Sequence, residues 1–164
     1  MKESIKILNL DINKCEEALS TNNLLEIAIS IEEMIDRYKN DIHSLRGLEK
    51  SNVWSYTKKD LEDIKKFITD YKEQITIQYK ACKLDEIFNE GRASIKNIKD
   101  ISEGKREDIY NIINDINNII KDENSIEAKW EKMKSYIDFA SKEEFELGFV
   151  ILNLINSSLK NTIE

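Results

Sequence analysis

Proline is missing altogether, and glycine occurs only four times in 164 residues. Ordinary chains carry about 5% proline, so the deficit is large. Barrels and sandwiches draw on both residues for their turns, which excludes a β-rich fold. Four scattered glycines cannot build a phosphate-cradling loop either: the chain contains no G-x-x-x-x-G-K, no G-x-G-x-x-G and no G-x-S-x-G. Histidine occurs once, as His43. A structural zinc site takes four His or Cys ligands, and one His with two Cys falls short of that. A ferritin-like di-iron centre needs two E-x-x-H motifs, and the residue three before His43 is Asn40. No metal or cofactor is therefore expected.

Long apolar runs are missing too. The longest is Phe149–Leu152, far below the ~18 residues that span a bilayer. Lys2, Glu3, Lys6 and Asp11 break up the N-terminal apolar residues, unlike a signal peptide. These features predict a cytoplasmic chain with no membrane partner. Cys15 and Cys82 each sit at apolar helical spacing, in Ile12–Cys15–Leu19 and Ile75–Tyr79–Cys82, and are expected to be buried free thiols.

What is present is charge and isoleucine. The net charge is −7, from 25 basic and 32 acidic residues. Residues 1–50 carry −3, residues 51–104 are neutral and residues 105–164 carry −4. No region offers the basic footprint that DNA requires; the mild acidity suits a protein partner with a basic surface. The 27 isoleucines and 13 aromatic residues supply ample core, which argues against disorder. Ile, Lys and Asn contribute 27, 21 and 16 residues, a bias expected of an AT-rich genome such as that of a low-GC bacterium or its mobile elements.

Periodicity predicts an all-α chain. Ile5, Leu8, Ile12, Cys15 and Leu19 form one stripe, and Thr21-Asn22-Asn23 interrupts it. A second stripe, Leu24 to Leu45, predicts a helix over 23–46 capped by Gly47. Residues 48–56, with Trp54 and Tyr56, read as irregular. Thr57 and Asp60 mark the start of a long helix carrying Leu61, Ile64, Ile68, Tyr71, Ile75 and Tyr79. The stripe changes phase at Leu84, which predicts a break between 83 and 91 and a separate helix over 92–102 ended by Gly104. Residues 105–121 and a stripe from Ile126 to Ile137, with Asn124 and Glu127 as cap pair, follow. Ser141 and Glu144 match a capping box that would open a last helix, 142–160. The predicted architecture is one helical domain over 1–164, an up-and-down bundle of six or seven helices built from antiparallel hairpins, with one long central helix.

The last helix is apolar nearly all round. Phe145, Phe149, Leu152, Ile155 and Leu159 cover one side, and Leu147, Val150, Ile151 and Leu154 the other. Such a helix is central in a core or shared with another chain. Gly148 costs about 1 kcal/mol against Ala in a helix, which a close helix–helix approach would offset. Leu147, Val150, Ile151 and Leu154, with Trp54 and Tyr56 in the irregular stretch, are the candidate partner-binding residues.

Arg37-x5-His43 resembles the R-x4-6-H signature of the HEPN family, small all-helical domains of bacterial toxins and defence ribonucleases. The resemblance implies an RNA-cleaving cleft at a dimer interface, with His43 moving a proton and Arg37 steadying phosphorane charge. Tyr38 stands where that family usually has Asn, Asp or His. The remaining composition points elsewhere, to a non-enzymatic interaction module: a small acidic stoichiometric inhibitor, adaptor or immunity-type protein. Self-assembly through helix 142–160, as a homodimer or larger structure, is the further alternative.

Overall fold

A computed structural model of the chain describes residues 1–163, and among these residues all regular structure is helical. Six α-helices occur in the order α1 (Lys2–Thr21), α2 (Leu24–Tyr38), α3 (Lys58–Asn97), α4 (Glu103–Lys121), α5 (Ile126–Lys142) and α6 (Phe145–Ile163). Two 3-10 turns, His43–Leu45 and Val53–Ser55, lie between α2 and α3. The fold is the expected all-α helical bundle with one long helix, α3. It comprises two compact units, Met1–Tyr79 and a second beginning at Lys80, each with its own hydrophobic core.

In the first unit, inter-helix pairs fix the direction of each helix. Lys14 meets Glu33 and Arg37 meets Asp11, so α2 runs antiparallel to α1. Lys58, Lys65 and Lys72 reach Asn22, Glu16 and Asn9 in turn, so the first part of α3 also opposes α1. Leu8, Cys15, Ile31, Met34, Leu61 and Ile68 lie in the core between them. In the second unit, Arg92 donates to Asn114 and Lys121 pairs with Asp85, setting α4 against the end of α3. Tyr136 and Lys129 reach back to Asp115 and the Ile120 carbonyl, setting α5 against α4. Asn161 donates to the Lys80 carbonyl at 3.1 Å, so α6 opposes α3. The second unit is up-and-down; in the first, α2 and α3 both run against α1 and so run parallel to each other, joined by the long 39–57 connection.

The helix ends explain how a chain without proline stops its helices. Asn22 and Asp100 take left-handed backbone angles (φ 53° and 52°), a conformation that Asn and Asp tolerate better than most residues. Basic side chains satisfy the last carbonyls. Arg46 donates to the Lys39 and Asn40 carbonyls past the end of α2. Arg106 does the same for Ile95 and Ile98 at the end of α3, and buried Lys129 for Ile120 in the last turn of α4. Orphan carbonyls and a cation at the helix C-terminus favour each other.

These ends correct several sequence expectations. The second helix stops at Tyr38, not residue 46; Ile42 and Leu45 keep the apolar spacing but lie in a turn and a 3-10 segment. No break interrupts 83–91, and the expected helix over 92–102 is instead the end of α3. The change of phase marks where α3 leaves one core and joins the next: Ile68 is buried in the first, Leu84, Phe88 and Ile95 in the second. Gly104 lies in the first turn of α4, whose N-cap is Ser102. Ser125, not Asn124, caps α5. Ser141 belongs to α5 and donates to the Asp138 carbonyl, so α6 starts without the expected capping box. Cys15 is buried and free, as expected, whereas Cys82 is exposed. Thr57 and Asp60 do open α3, through reciprocal backbone bonds of 2.7 and 3.3 Å.

Candidate functional site

The loop between α2 and α3 is irregular in sequence but pinned at several points. Asn52 accepts from the Trp54 backbone N–H at 3.0 Å and so caps the 3-10 turn. The Lys50 ammonium donates to the Ser55 carbonyl (3.0 Å) and to Asp60 (2.7 Å). The Lys50 backbone N–H donates to the Tyr56 hydroxyl at 3.0 Å, and its ammonium lies 5.2 Å from the Tyr56 ring. Lys50 thus ties the loop to its own end and to the first turn of α3.

The two loop aromatics take opposite roles. Tyr56 is 5% exposed and forms the pillar under the loop; burial, then a hydrogen bond to Glu32, raises its phenol above the usual range. Trp54 is 68% exposed, with Val53 exposed beside it. Tyr56 therefore offers no surface to a partner, and Trp54 does. Held in place by its backbone bond, the Trp54 indole is presented to solvent on a fixed base. An exposed tryptophan forgoes the burial of a large apolar surface, so its position on a pinned loop singles it out.

Asp60 gives the pin a pH dependence. Burial alone would raise its carboxyl, but hydrogen bonds from Lys50 and Thr57 together outweigh burial and hold it below its ordinary value of 3.8. A carboxylate with a depressed folded-state pKa stabilises the fold above its unfolded value and loses that contribution as pH falls through the folded one. Trp54 fluorescence, followed in a Trp130→Phe background, should stay flat from pH 7 to 5 and change only on acidification below about pH 4. Asp60→Asn should show the altered signal already at pH 7. A transition centred above pH 5 would contradict the role given to Asp60.

Arg37 and His43 lie in different elements, α2 and the first 3-10 turn. Arg37 lies in the last turn of α2 and donates to both Asp11 and Glu33. Asp11 is almost fully buried and also accepts from the Tyr38 hydroxyl at 2.6 Å. Burial first, then Asp11, pushes the Tyr38 phenol far up. The guanidinium charge is thus committed to two carboxylates that join α1 and α2. Arg37, Tyr38, Asp41 and Tyr71 border an open cavity of about 560 Å³. His43 is exposed in its own 3-10 turn.

In the second unit, α6 resolves its two apolar sides. Leu147, Ile151 and Leu154 are buried in the core and Val150 is half-buried, so this side serves the fold and offers almost no surface. The other side divides: Ile155 and Leu159 are buried as well, whereas Phe145, Phe149 and Leu152 are exposed, as are Ile163 and, on α5, Trp130. An apolar groove of about 850 Å³ lies beside this stripe, lined by Trp130, Leu152, Ile155, Leu159 and Ile163, with Glu127 and Glu131 at its edge. Sequence periodicity identified both sides of α6 but held no signal for which faces inward. Trp130 falls on the Ile126–Ile137 stripe, and periodicity gives no sign that it is exposed.

Among the described residues no helix is long and apolar enough to cross a membrane, and no three His, Cys, Asp or Glu side chains converge on a possible metal position. Compared with protein-family models, curated proteins and solved structures, the chain gives no match.

Proposed function

We propose that this chain is a non-enzymatic protein-interaction module that acts stoichiometrically, as an adaptor, inhibitor or immunity-type factor, and that Trp54 is its anchor. The observation that carries this reading is a tryptophan 68% exposed on a loop pinned by Lys50, Asn52 and Tyr56. Tryptophan is among the residues most enriched at binding hot spots. A pinned loop has little conformational freedom left to lose on association, which favours affinity. The partner is a protein with an apolar cleft for the indole and a basic rim, in keeping with the net charge of −7 and with exposed Glu26 and Asp36 on α2. The commitment of Arg37 to Asp11 and Glu33 gives no support to a nuclease.

Affinity capture from a lysate of the source organism, with tagged wild type and Trp54→Ala side by side, tests this. The wild type should retain one discrete protein near 1:1 by light scattering. Trp54→Ala should lose it, with affinity down roughly 30-fold, about 2 kcal/mol. Folding stability should change by no more than about 0.5 kcal/mol, as for other exposed positions. Equal capture by both proteins, or by neither, would overturn the proposal.

A further inference from the structure

We infer that the second unit binds a second copy of this chain through the exposed side of α6, the two helices lying antiparallel about a two-fold axis near Leu152 and Asn153. The face is self-complementary. Its N-terminal half carries two knobs, Phe145 and Phe149, which are 84% and 59% exposed with rings stacked at 6.0 Å between centroids. Its C-terminal half carries the 850 Å³ groove bordered by Trp130, Leu159 and Ile163. At ~100° per residue, Phe145, Phe149, Leu152, Asn156 and Ile163 fall on one side of α6.

A parallel pairing would set knobs against knobs. An antiparallel one sets each pair of phenylalanines into the other copy's groove, and the two-fold axis makes that contact twice. This is the signature of an isologous interface. Charge agrees with the same register. Glu146 and Lys160 are exposed near opposite ends of α6, and an axis at Asn153 brings each against the other in the second copy. α6 is roughly 27 Å long at ~1.5 Å per residue. With α5 packed about 8–10 Å away, the face covers on the order of 500 Å² per copy. The total, roughly 1,000 Å², is the lower bound of specific interfaces, so the dimer should be reversible, with a dissociation constant in the micromolar range.

Sedimentation velocity of the full chain from about 1 to 500 µM should show a shift from the 19.2 kDa monomer to twice that mass. Phe149→Asp, at an exposed position, should give a folded monomer with unchanged circular dichroism at every concentration. Glu146→Lys and Lys160→Glu should each weaken the dimer several-fold, and the double variant should recover it. A monomer throughout, or a dimer indifferent to Phe149→Asp, would overturn the inference. Failure of the double variant to recover would overturn the antiparallel register. The inference is independent of the Trp54 proposal: Phe149→Asp should still capture the Trp54 partner, and Trp54→Ala should still dimerise.

Discussion

Asp11→Ala is expected to destabilise the first unit by about 3 kcal/mol in urea unfolding. Asp11 is a carboxylate 1% exposed inside a helical hairpin. It is tolerated there because Arg37 and the Tyr38 hydroxyl donate to it from α2. Breaking a buried pair by removing one partner leaves the other polar groups stranded, at a cost of about 3–5 kcal/mol. The lower figure applies because Arg37 is partly exposed and keeps Glu33. The Tyr38 hydroxyl, on a residue only 6% exposed, loses its 2.6 Å acceptor and adds to the penalty. Asp11→Asn keeps an acceptor oxygen and should lose about half as much. A change below about 0.5 kcal/mol in Asp11→Ala, the range of inert surface positions, would contradict the role given to this cluster.

Gly148→Ala should also destabilise, although helix propensity alone favours alanine by about 1 kcal/mol. A Cβ at position 148 would press on the Ala140 carbonyl oxygen of α5. That atom is backbone, and α5 and α6 would have to move apart to admit it. Overpacking of this kind typically costs about 1–3 kcal/mol, and the backbone obstacle places Gly148→Ala at about 2–3 kcal/mol. Gly91→Ala is the control. A Cβ there meets the tip of the Leu154 side chain, which can rotate, so the cost should be near 1 kcal/mol. If Gly148→Ala proves neutral or stabilising in urea unfolding, the close approach of α5 to α6 is not as described.

Glycine 148 was legible in sequence as a residue needing a close neighbour, because its helical cost demands an offset. The all-α class was equally legible, since periodic stripes and the missing proline and glycine agree. The helix ends were not. The stops are made by Arg46, Arg106 and Lys129 reaching back to carbonyls, and a basic residue in sequence looks the same whether it caps a helix or faces water. The Leu84 phase change was visible but ambiguous. A break and a change of burial partner leave the same pattern, and α3 takes the second course.

The candidate site was half legible. Trp54 and Tyr56 stand out by residue type, but their spacing does not show that Trp54 is displayed and Tyr56 buried on a loop that Lys50 helps to pin. Its ligands, Ser55, Tyr56 and Asp60, lie five to ten residues away, too far for a local pattern. On α6 the hydrophobic effect alone could not choose between two apolar sides. Leu154 packs at Gly91 and Gly148 at the α5 backbone, and the core takes Leu147, Ile151 and Leu154 from one side and Ile155 and Leu159 from the other.

The most direct measurement is a fluorescence titration of the Trp130→Phe variant, in which Trp54 is the only tryptophan, with the captured partner. Alone, Trp54 should emit as a solvent-exposed indole and be quenched freely by acrylamide. At saturation, near 1:1, its emission should shift to the blue and its quenching should fall several-fold, as the indole leaves water. Saturable binding with unchanged Trp54 emission and quenching would contradict the claim that Trp54 is the anchor.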